Sequence, residues 1–366
     1  MCLGTTERYS ILHVFGNPSK DFTKNMGIMH QRAHEKAGYE IKGMTLNHFY
    51  ALIHPGGYWS FPLDLTDKEL ELAPKMIISD AVKVISGLQI DLAAVHVHTT
   101  VCNYKTLFEL LDIPIIGTGA EASANVADKA TSRGLMIQAG IKVPRGTILY
   151  AEDFYNLKFS LENLLASNHL DFPLVVKPTR CEASVGVHLV RSAAEMEAAL
   201  EVVFTLGDCA IIDEFIRGRE MRTGVLVRGE SLMSLPMIEY NNIPHEDIRG
   251  MSNKVEKDGK KLVTNTFLTL TRDDEPRLYD AMHLVAAQCH QALGCRDYSF
   301  MDCRVTEAGE IYVLEVNVFA AFNPGSVMTK LTTGAGISHQ QFWGEAVRRA
   351  LARRGAARQH GNTAGA

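Results

Sequence analysis

Short apolar runs recur along the chain, with stretches of helical period between them. Residues 11–15 read as a first strand, closed by a turn at Gly16–Asn17–Pro18–Ser19. Helical periodicity runs from about 25 to 38. Residues 50–53 read as a strand before the Pro55–Gly56–Gly57 turn, 80–88 as a helix, 92–95 as a buried strand, 104–111 as a helix and 113–117 as a short strand. Strands alternating with helices predict a parallel α/β domain over residues 1–118.

A second region begins near Gly119. Asp128 opens a helix carrying Lys129 and Arg133. Strands are expected at 174–178 and 187–190, then a helix over 193–203 capped by Ser192, then a strand at 210–215. These elements define a central lobe over 119–212. Residues 213–354 form a C-terminal lobe, and 355–366, small and polar, form a disordered tail.

The C-terminal lobe contains two apolar runs that end in polar residues. Residues 298–301 run into Asp302, and 311–314 run into Glu315, Val316 and Asn317. Glu307–Ala308–Gly309–Glu310 between them reads as a hairpin turn. Pairing of the two strands brings Asp302, Glu315 and Asn317 together, and the last two share a face. Two carboxylates and an amide oxygen are hard ligands suited to Mg²⁺ beside phosphates. The alternative is a polar sheet edge.

Other segments carry candidate chemistry. Ala183–Ser184–Val185–Gly186 lies between two strands. Small residues let backbone N–H groups approach an anion, and Ser184 adds a hydroxyl. Lys177 ends the preceding strand and supplies positive charge. An ordinary turn with a solvated lysine is the alternative. Lys129 reads either as a phosphate ligand or as a surface residue. Residues 211–216, including Asp213, Glu214, Phe215 and Ile216, read as a hinge beside an adenine edge, and Glu220 as a ribose ligand. A turn with a surface charge cluster is the alternative.

Composition narrows the class. A chain of 366 residues suits two or three domains. Its 46% hydrophobic and 22% charged residues are those of a soluble globular enzyme. The formal charge of −5 and the scattered basic residues argue against a nucleic-acid partner. No apolar run approaches the roughly 20 residues of a membrane span. No signal-peptide pattern opens the chain, and the seven cysteines are dispersed without a CxxC pair. A reduced, cytoplasmic protein is expected.

The order and spacing of these pieces resemble the ATP-grasp fold, and within it the D-alanine–D-alanine ligases. The resemblance covers about residues 114–326. It rests on Gly117–Thr118–Gly119, Ala127–Asp128–Lys129, Val175–Val176–Lys177–Pro178, Ser184–Val185–Gly186–Val187, the run from Glu214 through Glu220, and Asp302 with Leu314–Glu315–Val316–Asn317. It implies a three-domain α/β architecture, α+β in the nucleotide part. It also implies ATP and two Mg²⁺ ions as cofactors, with Mn²⁺ as a substitute. Lys129 and Lys177 would hold the α- and β-phosphates, and the loop with Ser184 and Val185 would close over the β- and γ-phosphates. Glu214, Phe215 and Ile216 would frame the adenine, Glu220 the ribose, and Asp302, Glu315 and Asn317 the metals, with Asp213 among the cofactor-binding residues. The implied reaction moves a phosphoryl group to an acceptor oxygen, which an amino acid amine then displaces. The substrates are then small molecules, an amino acid with a carbonyl or carboxylate acceptor. The family further implies a homodimer.

The acceptor half departs from that family. Phe300 stands two residues before Asp302, where the family has an arginine that stabilises the tetrahedral intermediate. Losing one such contact costs ~3–4 kcal/mol. Val318–Phe319–Ala320–Ala321–Phe322 replaces a Pro-Gly pair. Asp21–Phe22, the segments 55–62 and 289–299, and Phe322–Asn323–Pro324–Gly325–Ser326–Val327 resemble the ligases that finish mycosporine-like amino acids. That resemblance implies condensation of Ser, Thr or Gly with the ring ketone of mycosporine-glycine, Phe300 suiting the flat ring. The alternatives are a D-alanine–D-alanine or other dipeptide ligase, and a nucleotide-binding module without catalysis.

Acceptor-side candidates follow from position. Ser326 reads as a ligand of the amino acid carboxylate or as a helix N-cap. Arg249 and Lys254, in the polar segment 241–261, read as partners of substrate carboxylates or as a solvated loop. His96 and His98 end a strand and read as substrate contacts or as a core-rim pair. Arg304 reads as the partner of a neighbouring carboxylate. Lys177, Ser184 and Lys254 are the candidate catalytic groups.

Overall fold

The computed structural model describes residues 6–16, 26–36, 41–97, 101–181, 184–240, 247–248, 267–319 and 326–363. The chain divides into two compact units. One comprises Met1–Ala124, Cys295–Tyr298 and Val318–Ala366; the other comprises Asn125–Gly294 and Ser299–Asn317.

The first unit begins with β1 (Glu7–Gly16), α1 (Met26–Lys36), β2 (Met44–Ile53), β3 (Trp59–Ser60), α2 (Asp67–Leu72), α3 (Ile78–Gly87), β4 (Leu92–Val95) and α4 (Val101–Leu110). The sheet order is β3-β2-β1-β4. β1 runs parallel to β2 and β4, as the alternation of strands and helices predicts, while β3 returns antiparallel to β2. Ile11, Leu12, Val14 and Phe15 are fully buried. A strand covered on both faces is apolar along its length rather than alternating. The strand expected at 113–117 shrinks to one bridge, Ala93 with Ile115. Pro114 has no N–H to give, and Gly117 turns the chain at φ +82°.

The second unit carries two sheets. After α5 (Ala120–Ala127) come α6 (Lys129–Gln138), β5 (Gly146–Tyr150), α7 (Ala151–Phe154), α8 (Leu161–Ser167), β6 (Leu174–Pro178), β7 (His188–Val190), α9 (Ala193–Leu206) and β8 (Cys209–Glu214). Their strands form an antiparallel sheet in the order β5-β8-β6-β7. α9 buries Met196, Ala199, Leu200 and Val203 against it, a spacing of three and four that lines one helix face. Ser192 caps that helix, its hydroxyl accepting from the Glu195 N–H. The boundary drawn at 212/213 from sequence falls inside β8.

The other sheet comprises β9 (Arg219–Arg228), β10 (Ser231–Ser234), β11 (Met237–Tyr240) and β12 (Phe267–Leu270), then, after α10 (Pro276–Ala292), β13 (Tyr298–Val305) and β14 (Ile311–Asn317). Its order is β12-β11-β9-β13-β14, with β10 on β9. The chain ends in α11 (Val327–Gly334) and α12 (His339–Thr363), both in the first unit. Arg353 on α12 fixes that placement by binding both oxygens of Asp297 and donating to the Ile115 carbonyl at 2.8 Å. α12 continues to Thr363, into the stretch read from sequence as a disordered tail. No helix among the described residues is long and apolar enough to cross a membrane.

Candidate active site

The hairpin of β13 and β14 forms as its pattern predicts. Gly309 takes φ +80° in the turn, and the Thr306 N–H donates to the Glu310 carbonyl at 3.0 Å. Asp302 lies opposite Glu315, and Phe300 opposite Asn317, with a bulge after Asp302. The Asn317 amide donates to Glu315 Oε1 at 3.5 Å. Both carboxylates already face a cation. Arg222, on the adjacent strand β9, grips Asp302 at two points, Nη2 to Oδ2 at 2.5 Å and Nε to Oδ1. Lys129 Nζ lies 3.6 Å from Glu315 Oε2. Burial opposes the charge on Arg222, but Asp302 outweighs it and raises the guanidinium above its ordinary pKa.

Lys129 owes its place to a helix cap. Asp128 Oδ1 accepts from the N–H groups of Ala130 and Thr131, each at 3.0 Å, and Oδ2 accepts from Arg180 at 2.8 Å. Burial pushes the Asp128 carboxyl up, yet these donors prevail and it titrates below its usual range. Lys129 is then the first residue of α6, and its ammonium donates to the Cys181 carbonyl at 2.5 Å. That contact ties the helix start to the small-residue loop. In the loop Ser184 sits at φ +61° and Gly186 at φ +70°. A non-glycine residue in this region marks a backbone held by its surroundings, of the sort found at ligand sites.

Lys177 ends β6 and is buried. Its Nζ lies 2.9 Å from Asp213 Oδ2, and Arg133 Nη1 lies 2.9 Å from Asp213 Oδ1. Glu214 accepts from the Arg145 N–H at 2.8 Å and pairs with its guanidinium at 3.1 Å. Glu220 pairs with Arg304 at 3.2 Å, and Arg304 lies over the Phe215 ring at 5.4 Å. Arg304 therefore does pair with a neighbouring carboxylate.

These residues surround one cleft of about 820 Å³, its mouth included. Lys129, Lys177, Ser184, Val185, Asp213, Glu214, Phe215, Ile216 and Glu220 all line it, with Asp302 and Glu315. Val175, Pro144 and Leu314 add apolar wall, suited to an aromatic ring. Every residue expected at the nucleotide is thus gathered in one place within one unit.

Asn317 and Phe300 are not part of that lining. Ser326, in the other unit, caps α11, its hydroxyl accepting from the Thr329 N–H at 3.2 Å. His96 is buried in the first unit, its Nε2 3.1 Å from His13 Nδ1 and its ring stacked on Phe15. His98, Arg249 and Lys254 lie outside the described residues. Arg222 escapes a reading from sequence, and Arg133, placed on its helix beside Lys129, receives no role there. The signal for Arg222 is faint, one of four charges in β9 beside Arg219, Glu220 and Arg228, and its partner is 80 residues away.

No group of three or more His, Cys, Asp or Glu side chains among the described residues is arranged to hold a metal ion. The hairpin instead offers two carboxylates and an amide. Such an oxygen set fits a hard divalent cation held jointly with phosphates, because Mg²⁺ retains several ligands from water and substrate.

The family described as D-ala D-ala ligase C-terminus matches residues 135–347. A D-alanine–D-alanine ligase of Citrifermentans bemidjiense is 33% identical over 245 residues, 67% of this chain and 72% of the relative. That of Halalkalibacterium halodurans is 27% identical, covering 72% and 83%. Among solved structures, the D-alanine–D-alanine ligase of Coxiella burnetii superposes with a TM-score of 0.73 at 18% identity, covering 98% of each chain. The VanG D-Ala:D-Ser ligase of Enterococcus faecalis gives 0.73 at 22%, covering 94% and 100%. At those identities the structures establish the fold, which is ATP-grasp. The chain belongs to the D-ala D-ala ligase C-terminus family and is an ADP-forming carbon–nitrogen ligase.

Proposed function

We propose that the cleft binds ATP and that the enzyme joins two amino acids of the D-alanine type. The γ-phosphoryl group passes to a carboxylate oxygen of the first, releasing ADP. The amine of the second then attacks that carbon, and phosphate leaves carrying the oxygen. The observation that supports this is the convergence of Lys129, Lys177, Ser184, Phe215 and Glu220 on the cleft that also holds Asp302 and Glu315.

The roles follow from the contacts. Lys177, kept in place by Asp213, and Lys129, tethered to Cys181, neutralise phosphate oxygens. The Ser184 loop offers backbone N–H groups and a hydroxyl. Phe215 and Ile216 border the base. Asp302, Glu315 and Asn317 would hold Mg²⁺, which supplies charge neutralisation at the transferring phosphoryl group. The low dielectric of the cleft wall strengthens each of these attractions.

A second reading concerns the acceptor. Phe300 places an aromatic ring two residues before Asp302. This favours a flat ring carbonyl, such as that of mycosporine-glycine, condensed with Ser, Thr or Gly. The curated relatives are named for D-alanine, so the dipeptide reading takes precedence over the ring-carbonyl condensation expected from sequence. ADP release decides between them. D-alanine alone should stimulate it, and Asp302→Asn should abolish the stimulation. Stimulation only by mycosporine-glycine with serine, and formation of a product absorbing at longer ultraviolet wavelength, would replace the dipeptide reading with the second.

A further inference from the structure

Arg222 occupies an unusual position. It is 9% exposed and sits on β9, between β11 and β13. Its register partner on β11 is Ile238, so Tyr240, two residues on, shares that face. The guanidinium lies 5.8 Å from the Tyr240 ring centre and 5.1 Å from that of Phe300. With the two-point grip on Asp302, this fixes the head group on several sides.

Two features suggest a task beyond pairing. The Nη1 group makes no hydrogen bond to any described residue and is not among the buried unpartnered atoms, so its two N–H donors remain open to solvent or to a ligand. Arg222 also stays outside the lining of the nucleotide cleft, although Asp302, which it holds, belongs to that lining. Its head lies between Asp302 and the ring of Phe300, a residue that is likewise outside that lining. An ionised carboxylate has about four lone-pair sites. Asp302 can thus serve a cation and keep Arg222 in place.

We infer that Arg222 is a catalytic residue: its free N–H donors bind the acceptor oxygens and stabilise their negative charge as the amine adds. The inference rests on the ligase reading above. Phe300, on the next strand, cannot donate a hydrogen bond. Arg222 brings a guanidinium to 5.1 Å from its ring centre, from one strand away.

The test compares wild type with Arg222→Lys, which keeps a charge but loses the planar fork. At saturating ATP and Mg²⁺, kcat should fall about 100- to 1,000-fold. ATP affinity, read by calorimetry, should be unchanged. Binding of a phosphinate analogue of the tetrahedral intermediate, measured without turnover beside a non-hydrolysable ATP analogue, should weaken in parallel with kcat. Adding Phe300→Arg to Arg222→Lys should restore part of the rate. This pairing also serves if Arg222→Ala fails to fold. If Arg222→Lys only raises the Mg²⁺ requirement, and kcat and phosphinate binding match wild type at saturation, Arg222 merely props Asp302 and the inference is overturned. A wild-type protein that releases no ADP with any amino acid acceptor overturns the ligase reading, and this inference with it.

Discussion

Asp213 and Lys177 form a buried ion pair, Oδ2 to Nζ 2.9 Å, on neighbouring strands of the central sheet. Arg133 completes the cluster from α6. The sequence suggests Asp213 as an adenine neighbour; its carboxylate is engaged with these two cations. Removing one partner of such a pair leaves buried charge without compensation. Asp213→Ala should destabilise the protein by ~3–5 kcal/mol in urea unfolding. Asp213→Asn should fold better yet bind ATP more weakly than wild type, because Lys177 is no longer held.

Ser184 offers a cleaner separation of geometry from chemistry. At φ +61° its backbone is in the left-handed region. Ser184→Val should cost about 1–2 kcal/mol of stability, and Ser184→Gly should not. Both lose the hydroxyl. If that hydroxyl donates to phosphate, both variants turn over slowly; a fully active Ser184→Gly would show that only the loop's path matters.

His48 predicts a pH dependence in the first unit. Burial lowers its pKa, and Glu35 offsets this only in part. Its Nδ1 lies 2.9 Å from His13 Nε2. The unfolded chain has a histidine pKa of about 6.5 and so binds the proton first as pH falls. The stability from keeping His48 neutral is thus present above about pH 6.5 and lost below it. Tm should drop between about pH 7.5 and 5.5, and by less in His48→Gln. Equal slopes in the two proteins would exclude His48 as the cause.

Metal removal tests the hairpin. EDTA should abolish ADP formation, and added Mg²⁺ should restore it. Glu315→Gln should raise the Mg²⁺ concentration needed for half-maximal rate while leaving Tm close to wild type. Glu315 is about a third exposed and its contact with Lys129 is long, so its ion pair contributes little to folding.

Much of this arrangement is legible in sequence because it is local. The strand Leu174–Pro178 is where its apolar run ends, Ser192 caps its helix, and Glu315 and Asn317 follow from a period of two. What escapes is decided by distant partners. The run 113–117 is apolar enough for a strand, but Pro114 and the turn at Gly117 stop the ladder. α11 and α12 follow the nucleotide lobes in sequence, yet they belong to the first unit, where Arg353 meets Asp297. Arg222 reads as one more charge of the Arg217–Arg222 cluster until β9 lies beside β13. Ser326 gives no local sign of which role it serves, and in the fold it caps α11.

The proposed reaction phosphorylates an acceptor oxygen, which nitrogen then replaces. Its most direct test is isotope transfer. An acceptor that supports turnover is labelled with ¹⁸O at its carboxylate or ring carbonyl, and the released phosphate is analysed by mass spectrometry. One ¹⁸O atom is expected in each phosphate, matched to product formed. Unlabelled phosphate, with product still accumulating, would contradict it.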